Sequence, residues 1–308
     1  GFEKGRVLEP GCGSGHFIAA TPQGVDASWV GVEADQASAA IARHLNPQAM
    51  VVNKPMEEAN LPDHSVDAVI GNVPFGEVRV YDPAAPAEVR RTLHDYMIWS
   101  SVRTLAPGGV AVLITSCGTL DKIDDEARKA IDAEAVLVGA IRLPNGALAS
   151  LGTDTAADIL ILRRRTGQEP WRNPAAPAPK ELPEDPVLAA SAQGTWVLVG
   201  ETMNQWLERF SDDMVLGEVG KNVYRAGVTE VTPRQDEAWE QGLQRAVETT
   251  IERAKAAELT SQTLAAPVSM DQVLGQREDG LKEGQILTLE RPLTTRGKTR
   301  TVPVQARV

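Results

Sequence analysis

Short apolar runs punctuate the first ~165 residues, and stretches of helical spacing separate them. Residues 6–9, 29–33, 49–53, 66–71, 109–115, 135–143 and 159–162 read as strands, rich in Val, Ile and Leu. Several of these runs lack polar alternation, the pattern of a strand covered on both faces. Between them, Gln36–Leu45 carries the spacing of a helix. Continuous apolar strands separated by helices predict a doubly wound, mostly parallel, seven-stranded α/β sheet of Rossmann-like type.

The pattern changes after residue 165. Six prolines (Pro170, Pro174, Pro177, Pro179, Pro183 and Pro186) stand among Ala, Glu and Lys, a semi-rigid linker composition. The expected organisation is therefore a domain over 1–165, a linker over 166–189 and an α+β extension over 190–308. Within the extension, 196–199 reads as a strand and 203–210 as a helix. Thr232, Pro233 and Gln235 have the order of an N-cap, a first helical residue and a capping box, predicting a helix over 233–259. Trp239, Leu243, Val247 and Ile251 recur every four residues and predict its packed face. Beyond Glu290 no acid occurs, while Arg291, Arg296, Lys298, Arg300 and Arg307 form a basic tail, either solvated or suited to phosphate contact.

Charge narrows the function classes. The 308 residues hold 31 Lys and Arg against 42 Asp and Glu, a net charge of −11. The excess is even: 15 basic and 21 acidic residues in 1–165, then 16 and 21 in the remainder, so neither part is a basic clamp. Proteins that grip nucleic acid are usually basic, so tight duplex binding by this segment alone is not expected. No run approaches ~20 apolar residues, so no membrane span is expected. Two cysteines, Cys12 and Cys117, argue against a disulfide scaffold and fit a reducing, cytoplasmic location. With four histidines, they form no metal-ligand spacing. The chain starts at Gly1 rather than Met and enters an apolar run at once, the expectation for a piece of a longer protein.

Two motifs carry chemistry. The first follows the first strand: Glu9-Pro10-Gly11-Cys12-Gly13-Ser14-Gly15. A glycine-rich turn opening a helix lets backbone N–H groups approach a ligand where side chains would clash. Nicotinamide, flavin and S-adenosylmethionine (SAM) sites all use such turns. The dinucleotide fingerprint wants a further Gly where His16 stands, so SAM is favoured. Glu9 is suited to the cationic methionine end of SAM. Glu33, ending the second strand, is suited to a ribose diol, with Asp35 as the fallback.

The second motif is Asn72-Val73-Pro74-Phe75 at the end of the fourth strand, where ligands bind in open α/β sheets. An exocyclic amino group is a poor nucleophile because its lone pair is delocalised into the ring. The Asn72 side-chain oxygen and the Val73 carbonyl can each accept one N–H, freeing the lone pair and stabilising the developing positive charge. Phe75 offers a face for the base. Such a base must leave a duplex stack, so base flipping is implied for double-stranded DNA. Cytosine-C5 chemistry fits poorly, because neither cysteine follows a proline.

Asn-x-Pro-aromatic resembles motif IV of the amino-methyltransferases, with Val73 where Pro is usual. Residues 6–165 resemble the N6-adenine DNA methyltransferase domain of the large phage and plasmid helicase–methylase proteins, the DarB-like antirestriction family. The likeness rests on residues 8–15, 30–33, 61–76, 105–116, 139–146 and 155–164, and on Met214–Glu218 beyond them. It implies SAM as cofactor, a flipped adenine in DNA as acceptor, and a fused or associated helicase. No phosphate loop is visible, since Gly297-Lys298-Thr299 fails the Walker spacing. The resemblance also implies a cofactor-binding helix before the first strand, and hence weak SAM affinity for this segment. The adenine-side Asp-Phe pair of many relatives is replaced by Pro55-Met56, leaving Met56 as an apolar cofactor contact. Leu148 stands near the place of a base-packing aromatic. His94-Asp95-Tyr96 is expected on a helix surface. RNA or protein glutamine as acceptor, and an inactive DNA-binding scaffold, are the alternatives.

Overall fold

The computed structural model describes residues 2–149, 155–166, 196, 198–200, 203–221, 229–257, 259, 286–295 and 298–307. The proline-rich stretch and the side chains of the basic tail lie outside the described residues. Residues 1–267 form one compact unit and 268–308 another. The second unit holds an antiparallel pair of strands, Ile286–Thr295 and Lys298–Arg307.

The first unit is built on β1 (Lys4–Pro10), β2 (Asp26–Val32), β3 (Met50–Val52), β4 (Val66–Asn72), β5 (Leu105–Ser116), β6 (Ala135–Leu143) and β7 (Ala157–Arg164). Their order is β3-β2-β1-β4-β5-β7-β6. β1 to β5 run parallel to one another, while β7 is antiparallel to both β5 and β6. The seven predicted strands all occur in this mixed, mostly parallel sheet. Helices α1 (His16–Ala19), α2 (Gln36–Leu45), α3 (Leu93–Thr104), α4 (Gly118–Asp121) and α5 (Glu126–Glu134) make the connections. The burial of all nine residues of β6 explains its apolar run over 135–141, which only Arg142 interrupts.

α3 corrects one expectation. His94, Asp95 and Tyr96 are buried, not surface residues. Asp95 accepts from Thr92 Oγ1 at 2.6 Å and lies 3.7 Å from Lys122 Nζ, which removes the cost of burying a carboxylate unpaired.

The segments after residue 195 pack against the sheet within the same unit, beyond the boundary expected at 165. Trp196 and Trp206 are fully buried. The Trp196 indole donates to Asp132 Oδ1 at 2.8 Å. Asn204 caps α6 (Gln205–Arg209) through Trp206 N and also donates its backbone N–H to Asp121 Oδ1. Asp121 in turn accepts from Arg142, which is paired with Asp158 at full burial. After α7 (Ser211–Met214), Val215 pairs in parallel with Arg142 at the β6 edge. The stretch expected as a strand at 196–199 contributes one isolated bridge, Val199 with Asn204.

The helix expected over 233–259 begins later. Thr232 ends β9 (Thr229–Thr232), which pairs antiparallel with β8 (Glu218–Lys221), and this pairing overrides the capping signal. The helix is α8 (Trp239–Ala256), with Ala238 at its N-cap. Its buried face is Gly242, Ala246, Thr250 and Ala254, whereas Val247 and Ile251 are exposed. The reason is spacing: a Cβ on Gly139 of β6 would lie 2.7 Å from Thr250 Cγ2, so only small residues fit between helix and sheet.

Candidate functional site

The parallel strands end at one edge of the sheet, and the turns leaving β1, β2, β3 and β4 converge there. The turn after β1 is tied to the end of β2 by Cys12 N–H donating to Val32 O at 2.9 Å. Gly11 and Gly15 take the left-handed conformation, with φ of 64° and 81°. A side chain at Gly11 would also come within 3.3 Å of Pro74, so the first motif packs directly on the second.

Glu33 organises the middle of the site. Its Oε2 accepts from Gly13 N–H at 2.8 Å and its Oε1 from Asp35 N–H at 2.7 Å. Each oxygen keeps acceptor capacity. Asp35 is occupied in capping α2 through Ser38 N–H. Asn53 donates to the Glu33 and Ala34 carbonyls and fixes the chain as it leaves β3. At the end of β4, Val73 N–H continues the ladder to Ile114 O, and Leu93 N–H is tied to Gly76 O.

These turns enclose a cavity of about 460 Å³, within the range of small-molecule sites. Gly11, Glu33, Met56, Asn72, Val73, Pro74 and Phe75, all singled out from the sequence, line it. Lys54 and Glu57 also line it and were missed, as were Leu93 and Met97 of α3. Lys54 and Glu57 follow β3 directly, so the rule that ligands gather beyond strand ends could have found them. Nothing in the sequence signals that α3 lies over this edge.

Four expected cofactor residues are not brought to the wall. Pro10 is buried behind it, where a Cβ on Gly71 would meet its ring at 3.1 Å. Gly13 and Gly15 shape the turn. Glu9 is buried beneath the turn and accepts from Ile18 N–H at 3.2 Å. It anchors α1 and does not face the cavity. Burial raises its carboxyl from 4.5 to about 7, opposed by the hydrogen bonds from Ile18 and Phe17.

Asn72 Oδ1 is buried and has no hydrogen-bond partner among the described residues. Buried side-chain oxygens are normally satisfied, and Asn72 itself is a residue of the cavity wall. The wall thus combines the Asn72 amide, the carboxylates of Glu33 and Glu57, the cation of Lys54, and apolar surface from Val32, Met56, Pro74 and Phe75. Among the described residues, no Ser, Cys or His lines it. This set can hold a ligand bearing hydroxyl or amino donors beside a flat apolar group, and it offers no covalent nucleophile of those types. Among the described residues, no group of three or more His, Cys, Asp or Glu is placed to hold a metal, and no helix is long and apolar enough to cross a membrane.

Residues 7–95 match the family profile described as a methyltransferase domain. A 174-residue stretch is 28% identical to the Defense against restriction protein B of Escherichia phage P1, covering 54% of this chain. The chain spans only 8% of that relative's length. Among solved structures, a modification subunit assigned to a type I restriction enzyme of Vibrio vulnificus is 21% identical, covers 53% of this chain and 41% of its own, and has a TM-score of 0.45. A protein of Listeria monocytogenes assigned to the class I SAM-dependent methyltransferases is 20% identical, covers 63% and 64%, and has a TM-score of 0.44. The sheet order and the matched profile make this a protein of Rossmann-like SAM-methyltransferase fold.

Proposed function

We propose that the chain transfers a methyl group from SAM to the N6 amino group of adenine in DNA. The observation that carries this reading is the unsatisfied Oδ1 of Asn72, a residue of the cavity wall, with Val73, Pro74 and Phe75 beside it.

The cavity fits the cofactor in size and chemistry. Glu33 is offered to the ribose hydroxyls, Glu57 to the adenine amino group, and Val32 and Met56 to the adenine faces. The positive φ at Gly11 keeps a side chain out of the space shared with Pro74. SAM, when bound, supplies an electrophilic methyl group on a sulfonium. Asn72 Oδ1 and the Val73 carbonyl each take one hydrogen of the acceptor amine, which localises its lone pair. The same two oxygens stabilise the positive charge as the nitrogen gains its fourth bond, before a proton is lost. Phe75 stacks on the base and adds attraction for that charge. Glu9 acts from behind by holding α1. The name of the phage relative, which concerns defence against restriction, supports DNA as the acceptor. So does the resemblance over residues 6–165 to helicase-linked adenine methylases, with a helicase as the expected partner.

The test is transfer from labelled SAM to DNA free of methyladenine, with digestion to nucleosides. N6-methyladenine is the expected product, and Asn72→Ala is expected to lower the rate by about 10²-fold or more. Label on RNA, on protein glutamine or on cytosine, or full activity in that variant, would overturn the reading.

A further inference from the structure

The segment from Gly76 to Thr92, which leaves the cavity wall after Phe75, contains no α-helix yet is held firmly. Leu93 N–H closes its base on Gly76 O at 3.0 Å, and Val80 N–H bonds to Arg90 O at 3.0 Å. Asp82 accepts from Tyr96 OH at 2.8 Å and from Ala84 N–H at 2.9 Å. Tyr96 belongs to the half of α3 whose Leu93 and Met97 line the cavity. Val80, Ala85 and Val89 of the segment are themselves buried. Against this fixed backing, Tyr81 is 82% exposed and Val78 61% exposed, with exposed Arg79 between them.

Val80 is buried and pins the chain, while Val78, Arg79 and Tyr81 stand exposed around it as a small tip of two large apolar side chains and one cation, with Glu77 exposed at its start. Tyr81 is only six positions beyond Phe75, which at full extension is about 20 Å. Within 76–92 three arginines meet three acids, whereas the whole chain carries −11. Asp82 is engaged internally, and Arg91 is paired with Asp124 and Glu126. Arg79 and Glu77, both exposed, leave the tip itself without net charge.

A base that enters the cavity leaves a gap in its duplex, and unstacking it is costly. An apolar or aromatic side chain placed in the stack offsets that cost. We propose that Tyr81, supported by Val78, is the wedge that enters the base stack of double-stranded DNA as the target adenine turns toward Phe75, with Arg79 on the adjacent phosphate. This rests on the base-methylation reading and adds the residue that distinguishes duplex from single strand.

The experiment compares initial rates on duplex DNA free of methyladenine and on the same DNA after heat denaturation, for the unaltered chain, Tyr81→Ala and Tyr81→Phe. A wedge matters only where a stack must be opened. Tyr81→Ala is expected to lower the duplex-to-denatured rate ratio about tenfold or more, and Tyr81→Phe, which keeps the ring, to restore it. A ratio unchanged in Tyr81→Ala overturns the wedge while leaving base methylation standing. Failure of the unaltered chain to methylate either form overturns base methylation and the wedge together.

Discussion

Glu9 is a carboxylate that the fold penalises, and replacing it with Gln should make the protein more stable at neutral pH and above. Burial beneath the glycine turn raises its carboxyl from 4.5 to about 7. Between those values the folded chain binds more protons than the unfolded one, so its stability falls as pH rises through that window and levels off above it. The gap corresponds to about 3 kcal/mol at 1.36 kcal/mol per pH unit, as an upper figure. Gln keeps the length and an oxygen for the Ile18 N–H but has no proton to lose. Any misfit of its amide is the same at every pH. The quantity to measure is therefore the difference in Tm between Glu9→Gln and the unaltered chain, by calorimetry or circular dichroism, at pH 5 and at pH 8. The difference should shift in favour of the variant by a few degrees, up to roughly 5 °C, on going to pH 8. An equal difference at both pH values, or a shift against the variant at pH 8, would show that Glu9 does not ionise at a cost.

Two further outcomes follow from the same packing. Gly15→Ala puts a side chain at a φ of 81°, with its Cβ 2.6 Å from Asn46 Nδ2, which donates to the Gly15 and Ala42 carbonyls. Urea unfolding should show a loss of about 1–2 kcal/mol or more, and unchanged stability would contradict the turn described. A chain ending at Arg165 lacks buried Trp196 and Trp206 and the Asn204 bond to Asp121. Losses of about 3–5 kcal/mol per buried tryptophan would exhaust a typical stability of about 5–15 kcal/mol. This shortened chain should bind a hydrophobic dye and melt without cooperativity, whereas a sharp melt would show that residues 1–165 fold alone.

The strands were legible because a sheet covered on both faces demands long apolar runs, as over 135–141 in β6. Both motif loops were legible too, since a left-handed turn calls for glycine and an amide acceptor at a strand end for Asn. Local signals failed where a partner distant in the chain overrode them. Thr232 has the surroundings of an N-cap, yet pairing with Glu218 makes it the end of a strand. Val247 and Ile251 have the periodicity of a packed face, yet the approach of α8 to Gly139 gives that place to Ala246 and Thr250.

The candidate site divides along the same line. Residue type and spacing were enough to mark Gly11, Glu33 and Asn72, because backbone approach, diol binding and amine activation each require a particular side chain or none. Whether such a residue faces the cavity depends on what the rest of the chain packs against it. Glu9 turned beneath the turn because α1 supplies N–H donors there, and burial then raised its carboxyl. Lys54, Glu57, Leu93 and Met97 joined the wall because sheet order brings the end of β3 and the start of α3 to the edge that holds Asn72. Local chemistry is written in short stretches of chain. The face, depth and neighbours of each group arise from long-range packing, which no short stretch encodes.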